Sequence, residues 1–361
     1  MLHAFTSAAV NYLPKCRLLC ESVKRHHPEI RFHLALTDQL PVSFNPSAEP
    51  FDSIITIGQL EIPDTVRWLF KHNLTELSTA IKPFVMKILF RQPGCDGILY
   101  FDPDIVVFSK LDDLLNEFAS SSIALTPHLL KPSPTYVSVI DHEIFSTLRN
   151  GLFNLGFAAV KNDANGRAFA DWWADRLYHF CRAEPENGMW TDQKWADLAP
   201  IYFAGVHVLR SPRFNVASWN LPTRHLTGTV ESGFYVEGLP LGFYHFTGWD
   251  SGAHLAQVLK HAGSSRDAAL TLLQWYESQV REKSDHLTKI KWAYDSFDNG
   301  MPITALHRRL YRERSDLQNA FPNPFNTGNG FNYHAWFERH APLEHPDLFD
   351  GVNGEWKFDV R

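Results

Sequence analysis

Two hydrophobic periods run through the first 250 residues and divide them into alternating strands and helices. Leu2 to Thr6 reads as a short strand, and Tyr12, Leu13, Cys16, Leu19, Cys20 and Val23 then fall on one helical face. Arg31 to Thr37 and Ser53 to Ile57 read as strands, separated by a Pro-rich loop over residues 41–50. Asp64 to Lys71 and Thr75 to Ile81 carry helical spacing; Lys82-Pro83 ends the second of these, and Phe84 to Phe90 resumes as another helix. An amphipathic helix follows from Leu111 to Phe118, then a strand from Ser122 to Thr126. Residues 127–150 read as loop, because Lys131-Pro-Ser-Pro134 cannot sustain regular hydrogen bonding. Phe153 to Val160 is a strand, Ala168 to Phe180 an aromatic helix, and Leu241 to Phe246 a last core strand. The β-α-β order predicts an α/β fold on a mostly parallel sheet flanked by helices. After residue 262 the pattern turns helix-rich and charged, with a Pro/Asn/Gly loop over residues 321–330. This predicts a core domain over 1–262 and a helical or irregular appendage over 263–361.

Within that pattern, Gly97 to Phe108 stands apart. Asp102 and Asp104 sit between the apolar runs Ile98–Phe101 and Ile105–Phe108, which read as strand buried on both faces. Acids at the end of a buried strand are costly unless a cation or donor meets them. On an extended chain, residues two apart point the same way, and Pro103 favours extended backbone at Asp102. Two carboxylates converging in this way form an oxygen site suited to Mg²⁺ or Mn²⁺. Asp-Pro-Asp is also good turn chemistry, and both readings stand at this point.

Composition narrows the classes. With 44% hydrophobic and 20% charged residues the chain is globular, and a net charge of −6 argues against a nucleic-acid binder. Four cysteines form no Cys-x-x-Cys pair, no basic-then-apolar leader opens the sequence, and no run approaches the ~20 apolar residues a bilayer requires. A cytoplasmic protein is expected, with the inner membrane face as a second setting. Arg308, Arg309, Arg312 and Arg314, around Leu310 and Leu317, read either as a peripheral membrane patch suited to a lipid-linked acceptor or as a solvated helix face.

Several separated motifs, taken in order, resemble the glycosyltransferases of family 8, retaining enzymes on a GT-A fold. They are Asn11-Tyr12, Thr79-Ala-Ile-Lys82, Ile98-Leu-Tyr-Phe-Asp-Pro-Asp104, Phe153-Asn-Leu-Gly156, Thr191-Asp-Gln193 and Tyr244-His-Phe-Thr-Gly248. The resemblance covers most of residues 1–250. It implies metal ligation by Asp102, Asp104 and His245, and donor binding by Thr6, Asn11, Lys82, Asp102 and Asn154. Asp192 and Gln193 would sit near the anomeric carbon, and Asn215 and Trp219, in Arg213-Phe-Asn-Val-Ala-Ser-Trp-Asn220, on the acceptor side. Trp219 also reads as a core aromatic, and Asp192 as a helix N-cap.

Two positions depart from the family pattern. Ala9 and Val10 stand where an acid usually pairs with uracil, and Ser251 stands where a Lys commonly binds diphosphate, leaving Lys82, Arg224 or His254 for that task. The implied activity is metal-dependent transfer of a sugar from a nucleotide-sugar donor, a UDP-sugar first, to a glycan or lipid-linked acceptor in surface polysaccharide assembly. Same-face attack and double displacement both remain open. A sugar-phosphate nucleotidyltransferase also pairs acids around a metal, but Phe5-Thr-Ser-Ala-Ala-Val10 lacks the glycines and base such enzymes open with. The departures fit a third reading, a non-catalytic carbohydrate-binding protein.

Overall fold

A computed structural model describes residues 1–328 and 330–349; residue 329 of the expected Pro/Asn/Gly loop and the appendage beyond 349 lie outside the described residues. The strands are β1 (Leu2–Ala8), β2 (Arg31–Leu36), β3 (Ser53–Thr56), β4 (Gly97–Phe101), β5 (Ile105–Val107), β6 (Ile123–Pro127) and β7 (Phe153–Lys161). Then come β8 (Ala183–Glu184), β9 (Met189–Trp190), β10 (Val206–Val208), β11 (Leu226–Thr229), β12 (Gly233–Val236), β13 (Leu239–Pro240) and β14 (Phe243–His245). Seven of them form one sheet in the order β10-β6-β7-β4-β1-β2-β3. Four pairings are parallel, and β7 alone runs against both its neighbours. The expected α/β class with a mostly parallel sheet holds, as does the helix-rich character of the chain after residue 262.

The continuous apolar strands divide their side chains between two helical layers. Phe5, Ile98, Tyr100, Ala158 and Val160 face one core with Trp173 and Leu177; Ala4, Leu99, Phe101, Phe157 and Ala159 face the other with Leu13, Leu19 and Leu114. Residues one apart therefore reach opposite cores, which is why polar alternation is missing from these strands. The helix break at residues 80–83 is as expected: one helix spans Leu74–Ala80, and the next, Lys82–Phe90, begins with Pro83 in its first turn.

Four expectations are corrected. First, Asp102-Pro-Asp104 is a turn, closed by Ile105 N–H donating to the Asp102 carbonyl at 3.1 Å, so the carboxylates converge through the turn rather than by strand alternation. Second, β14 stands outside the main sheet. It pairs antiparallel with β5 in a two-stranded ribbon, setting His245 opposite Ile105. Third, residues 136–148 are helical. Thr135 caps Tyr136–Ser138 by accepting from Ser138 N–H at 3.1 Å, and a π-helix continues over Val139–Leu148. Only Ser138 and His142 are buried there, so no apolar stripe betrays this helix in the sequence.

Fourth, the four arginines do not form one exposed face: Arg309 stays on the helix surface, paired with Glu313 one turn on, while the others turn to the rest of the chain. Buried Arg308 donates to the carbonyls of Phe70, His72 and Tyr294, and Arg312 pairs with Glu76, while Arg314 pairs with Asp316 and Glu344. Arg308 and Arg312 satisfy carbonyls at the end of the helix Thr65–Phe70 and tie the later helices to the core, whereas Arg314 bonds within those later helices. Among the described residues no helix is long and apolar enough to cross a membrane.

Candidate active site and metal centre

The site gathers at the carboxyl end of β4, where open α/β sheets place their ligands. Because β7 is antiparallel, its beginning lies beside that end, and Asp102 N–H donates to the Gly156 carbonyl at 2.7 Å. The β5–β14 ribbon brings the third side chain, with Phe246 N–H donating to the Asp104 carbonyl at 2.8 Å. Asp102, Asp104 and His245 thus offer ligand atoms all within 4.8 Å of one another. His245 Nε2 lies 3.1 Å from Asp104 Oδ1 and 3.6 Å from Asp102 Oδ2.

The imidazole is held from behind. Its Nδ1 faces Asn215 Oδ1 at 3.3 Å; an amide oxygen only accepts, so Nδ1 is the donor there, and Nε2 is the nitrogen left facing the carboxylates, where a cation would take it in its neutral form. The ring also packs edge-on to Trp219, centroids 5.4 Å apart, and lies against Gly156. A β-carbon at Gly156 would stand 2.4 Å from His245 Cε1, so the glycine of the Phe-Asn-Leu-Gly stretch is required by this ring rather than by its own backbone angles.

Opposite charge is arranged around the carboxylates. Lys82, fully buried, donates to Asp192 at 2.8 Å and to the Leu155 carbonyl at 3.1 Å, and its ammonium is 3.5 Å from Asp102. Burial alone would lower its pKa; Asp102 and Asp192 outweigh burial and hold it above the usual lysine range. Asp192 is raised by burial against the pull of Lys82. Tyr100, kept neutral by burial and by the adjacent carboxylate, donates to Asp102 Oδ1 at 2.5 Å. For Asp104, burial raises the pKa, but His245 and then Lys15 pull harder and leave it below the ordinary range. His245 is lowered by burial and raised more strongly by Asp104 and Asp102.

Asn154, Gln193 and Asn215 form one network. Asn154 Nδ2 donates to Gln193 Oε1 at 3.2 Å, Asn215 Nδ2 donates to Asn154 Oδ1 at 2.9 Å, and Leu155 N–H donates to Gln193 Oε1 at 3.0 Å. Thr191 and Asn215 both adopt left-handed backbone, φ 42° and 51°. Asn tolerates that region, whereas β-branched Thr191 is strained there, immediately before Asp192. Asp192 takes the N-cap position of the helix Gln193–Ala196, yet its carboxylate bonds Lys82 and Thr191 instead of capping.

The expected residues are thus distributed unevenly. Asp102, Asp104, His245, Lys82, Asn154, Asp192, Gln193 and Asn215 form one connected centre, and Trp219 is buried against it, donating to the His128 carbonyl. Thr6 ends buried with its hydroxyl unpartnered, and the buried Asn11 Oδ1 is likewise without a partner. Arg224 and His254 are unavailable to a diphosphate. Arg224 is buried holding the Pro212 and Phe214 carbonyls, with burial pushing its pKa down to about 9, and His254 is locked between Tyr244 and the Thr247 carbonyl.

Sequence reasoning missed Lys15. Its ammonium pairs with Asp250 at 2.5 Å and lies over the Tyr12 and Trp249 rings, beside the segment that carries Ser251. The signal was present: a lysine on the apolar stripe of a helix's first turn opposes both burial and the helix dipole.

No family model matches the chain. Among curated proteins it is 24% identical to the uncharacterized protein YfnD of Bacillus subtilis (strain 168) over 252 residues, 68% of this chain and 78% of that one. It is 24% identical to the uncharacterized protein YfnF of the same strain over 201 residues, 55% of this chain and 64% of that one. Among solved structures it is similar to the galactosyltransferase LgtC in complex with donor and acceptor sugar analogs, with 16% identity and a TM-score of 0.47 over 78% of this chain and 96% of that one. It is also similar to the glycosyltransferase GlyE of Streptococcus pneumoniae TIGR4, with 14% identity and a TM-score of 0.43 over 77% of this chain and 64% of that one.

Proposed function

We propose that the chain is a metal-dependent glycosyltransferase that moves a sugar, with retention, from a nucleotide-sugar donor (a UDP-sugar first) to a hydroxyl of a glycan or lipid-linked acceptor. The observation that carries this reading is the Asp102–Asp104–His245 group, with the imidazole fixed through Nδ1 and its Nε2 turned toward both carboxylates. Two oxygens and one imidazole nitrogen suit Mn²⁺ or Mg²⁺, and such an ion, when bound, neutralises charge on a departing diphosphate.

The chain's own residues divide the remaining work. In the transfer, the bond from the anomeric carbon to the diphosphate oxygen breaks and one to the acceptor oxygen forms, and the acceptor's proton leaves with the diphosphate or on a protein carboxylate. Lys15 supplies positive charge on the side of the site where Ser251 offers none. Asn154 and Gln193, locked to each other, present fixed amides to sugar hydroxyls, and Asp192 is oriented by Lys82. Asn215 and Trp219 act as positioning residues, behind and beside the imidazole. A core over 1–262 with the appendage over 263–361 remains the working division.

The test is binding before turnover. UDP should raise the melting temperature with Mn²⁺ and not with EDTA, since ligand at 100 times its Kd adds about 2.7 kcal/mol. An NMR spectrum of the transfer product, or of slowly hydrolysed donor, should show the donor's anomeric configuration. Absence of any nucleoside diphosphate shift overturns the transferase reading in favour of a carbohydrate-binding protein; a response to nucleoside triphosphates alone favours a nucleotidyltransferase.

A further inference from the structure

The appendage does more than brace the core. Residues 288–295 cross the carboxyl end of β2, where Trp292 Nε1–H donates to the Thr37 carbonyl at 2.8 Å and Ala293 N–H donates to Asp38 Oδ1 at 2.9 Å. Asp38 also accepts from Gln39 N–H at 2.9 Å and, more weakly, from Val10 N–H at 3.3 Å, so this one carboxylate joins the β1 and β2 ends to the appendage. Between this fixed segment, the Asn11 loop, the start of the helix Leu74–Ala80 and the β8–β9 hairpin lies a cleft of about 720 Å³. That volume falls within the ~300–1,000 Å³ of small-molecule sites.

Three of its lining groups are unengaged. Asn11 Oδ1 is buried and bonds nothing. Trp190, half-buried in the wall, has no ring contact or side-chain hydrogen bond among the described residues, although the structure is rich in aromatic pairs. Lys291 is exposed and has no carboxylate partner among the described residues. An aromatic face, an orphaned amide oxygen and a free ammonium are complementary to a base, a ribose or base N–H, and a ring carbonyl oxygen. Trp190 is followed directly by Thr191 and Asp192, which ties this wall of the cleft along the chain to the centre described above.

We propose that this cleft seats the nucleoside of the donor and that the appendage, through Lys291, chooses the base. This rests on the glycosyltransferase reading. Residues 9 and 10 offer no acid to pair with a base, and Lys291 is a polar lining group of the cleft that could take that role. Trp190 stacks on the base, Asn11 accepts a hydrogen bond from the nucleoside, and the Lys291 ammonium donates to a ring carbonyl. Uracil, cytosine and guanine carry such a carbonyl; adenine does not.

Calorimetry on the full chain with Mn²⁺ tests this, using UDP, ADP and UMP against the unsubstituted protein, Trp190→Ala and Lys291→Ala. Mn²⁺ binding in the absence of nucleotide serves as the fold control. Trp190→Ala should weaken both diphosphates about tenfold or more, the scale of base–aromatic stacking. Lys291→Ala, an exposed position whose loss cannot collapse a core, should weaken UDP and UMP severalfold while leaving ADP within twofold. Equal losses for UDP and ADP in Lys291→Ala would place that ammonium on phosphate and overturn the base-choice claim. Unchanged UDP affinity in both variants would overturn the cleft assignment while leaving the transferase reading intact. If the unsubstituted protein binds no nucleotide, it is the transferase reading that fails.

Discussion

Gly156→Ala should damage the metal centre without altering a ligand. The added methyl would meet His245 Cε1 at 2.4 Å, His245 Nδ1 at 2.6 Å and Asn154 Oδ1 at 2.8 Å, all inside the closest approach real β-carbons show. To reach ordinary contact the ring must retreat by about 1 Å, whereas metal–ligand distances tolerate only ~0.2 Å. Retreat is obstructed by Asn215 at Nδ1, by Trp219 against the ring and by the pairing of β14 with β5. Overpacking of this kind costs about 1–3 kcal/mol, and misplacing a supported ligand costs roughly 10–100-fold in metal affinity. Urea unfolding without metal reads the first quantity, and Mn²⁺ titration followed by electron paramagnetic resonance reads the second. In a His245→Ala background most of the clash is gone, so the same substitution should then cost under about 1 kcal/mol. Unchanged Mn²⁺ affinity in Gly156→Ala, or equal unfolding costs in both backgrounds, would refute the assignment of this glycine to the imidazole.

Two further outcomes follow from the buried charges. Lys82→Met leaves the buried Asp192 carboxylate unpaired and should cost about 3–5 kcal/mol in urea unfolding, most of it recovered by adding Asp192→Asn; if the double variant is no more stable than the single, Lys82 is not the counter-charge. Acid should unfold the chain early, because burial lowers His33, His128, His254 and His307 to about 4 and His72 to about 3. Below the unfolded value near 6.5 the unfolded chain binds protons these sites refuse, so their contribution, whole above that pH, is lost as pH falls toward 4, at up to about 1.4 kcal/mol per pH unit each. Against a typical stability of about 5–15 kcal/mol the acid midpoint should lie near pH 5, and intact near-UV circular dichroism at pH 4 would contradict it.

The sequence made the sheet legible because its strands are buried on both faces and so appear as unbroken apolar runs. The acid pair was legible for the same reason: two acids inside such a run demand a partner. The geometry joining them was not, since Asp-Pro-Asp satisfies both a turn and an extended reading until the pairing of β14 with β5 is known. The helix over 136–148 buries only Ser138 and His142 and gives periodicity nothing to detect. Arg308 and Arg312 misled for the opposite reason. A guanidinium on a helix is usually solvated, and only the distant carbonyls of Phe70, Lys71 and His72 show why these are not. Lys15 was readable in principle, as a cation on an apolar stripe at a helix N-terminus.

The left-handed residues bear on why the centre holds together. Thr191 at φ 42° carries a conformational cost of about 1–3 kcal/mol, and it survives because the neighbouring Asp192 is fixed by Lys82 and by the Thr191 hydroxyl itself, at 3.1 Å. Asn215 at φ 51° is held in the same way, by Thr126, Asn154 and His245. Each unusual backbone conformation aims one side chain, Asp192 toward Lys82 and Asn215 toward the His245 imidazole. The chain of contacts from Gln193 through Asn154 and Asn215 to His245 and Asp104 joins the two. Removing Asn215 takes the partner from His245 Nδ1, and removing Gln193 takes the partner from Leu155 N–H. The Gln193 end and the His245 end are therefore coupled by the folding energetics of one network rather than by proximity alone.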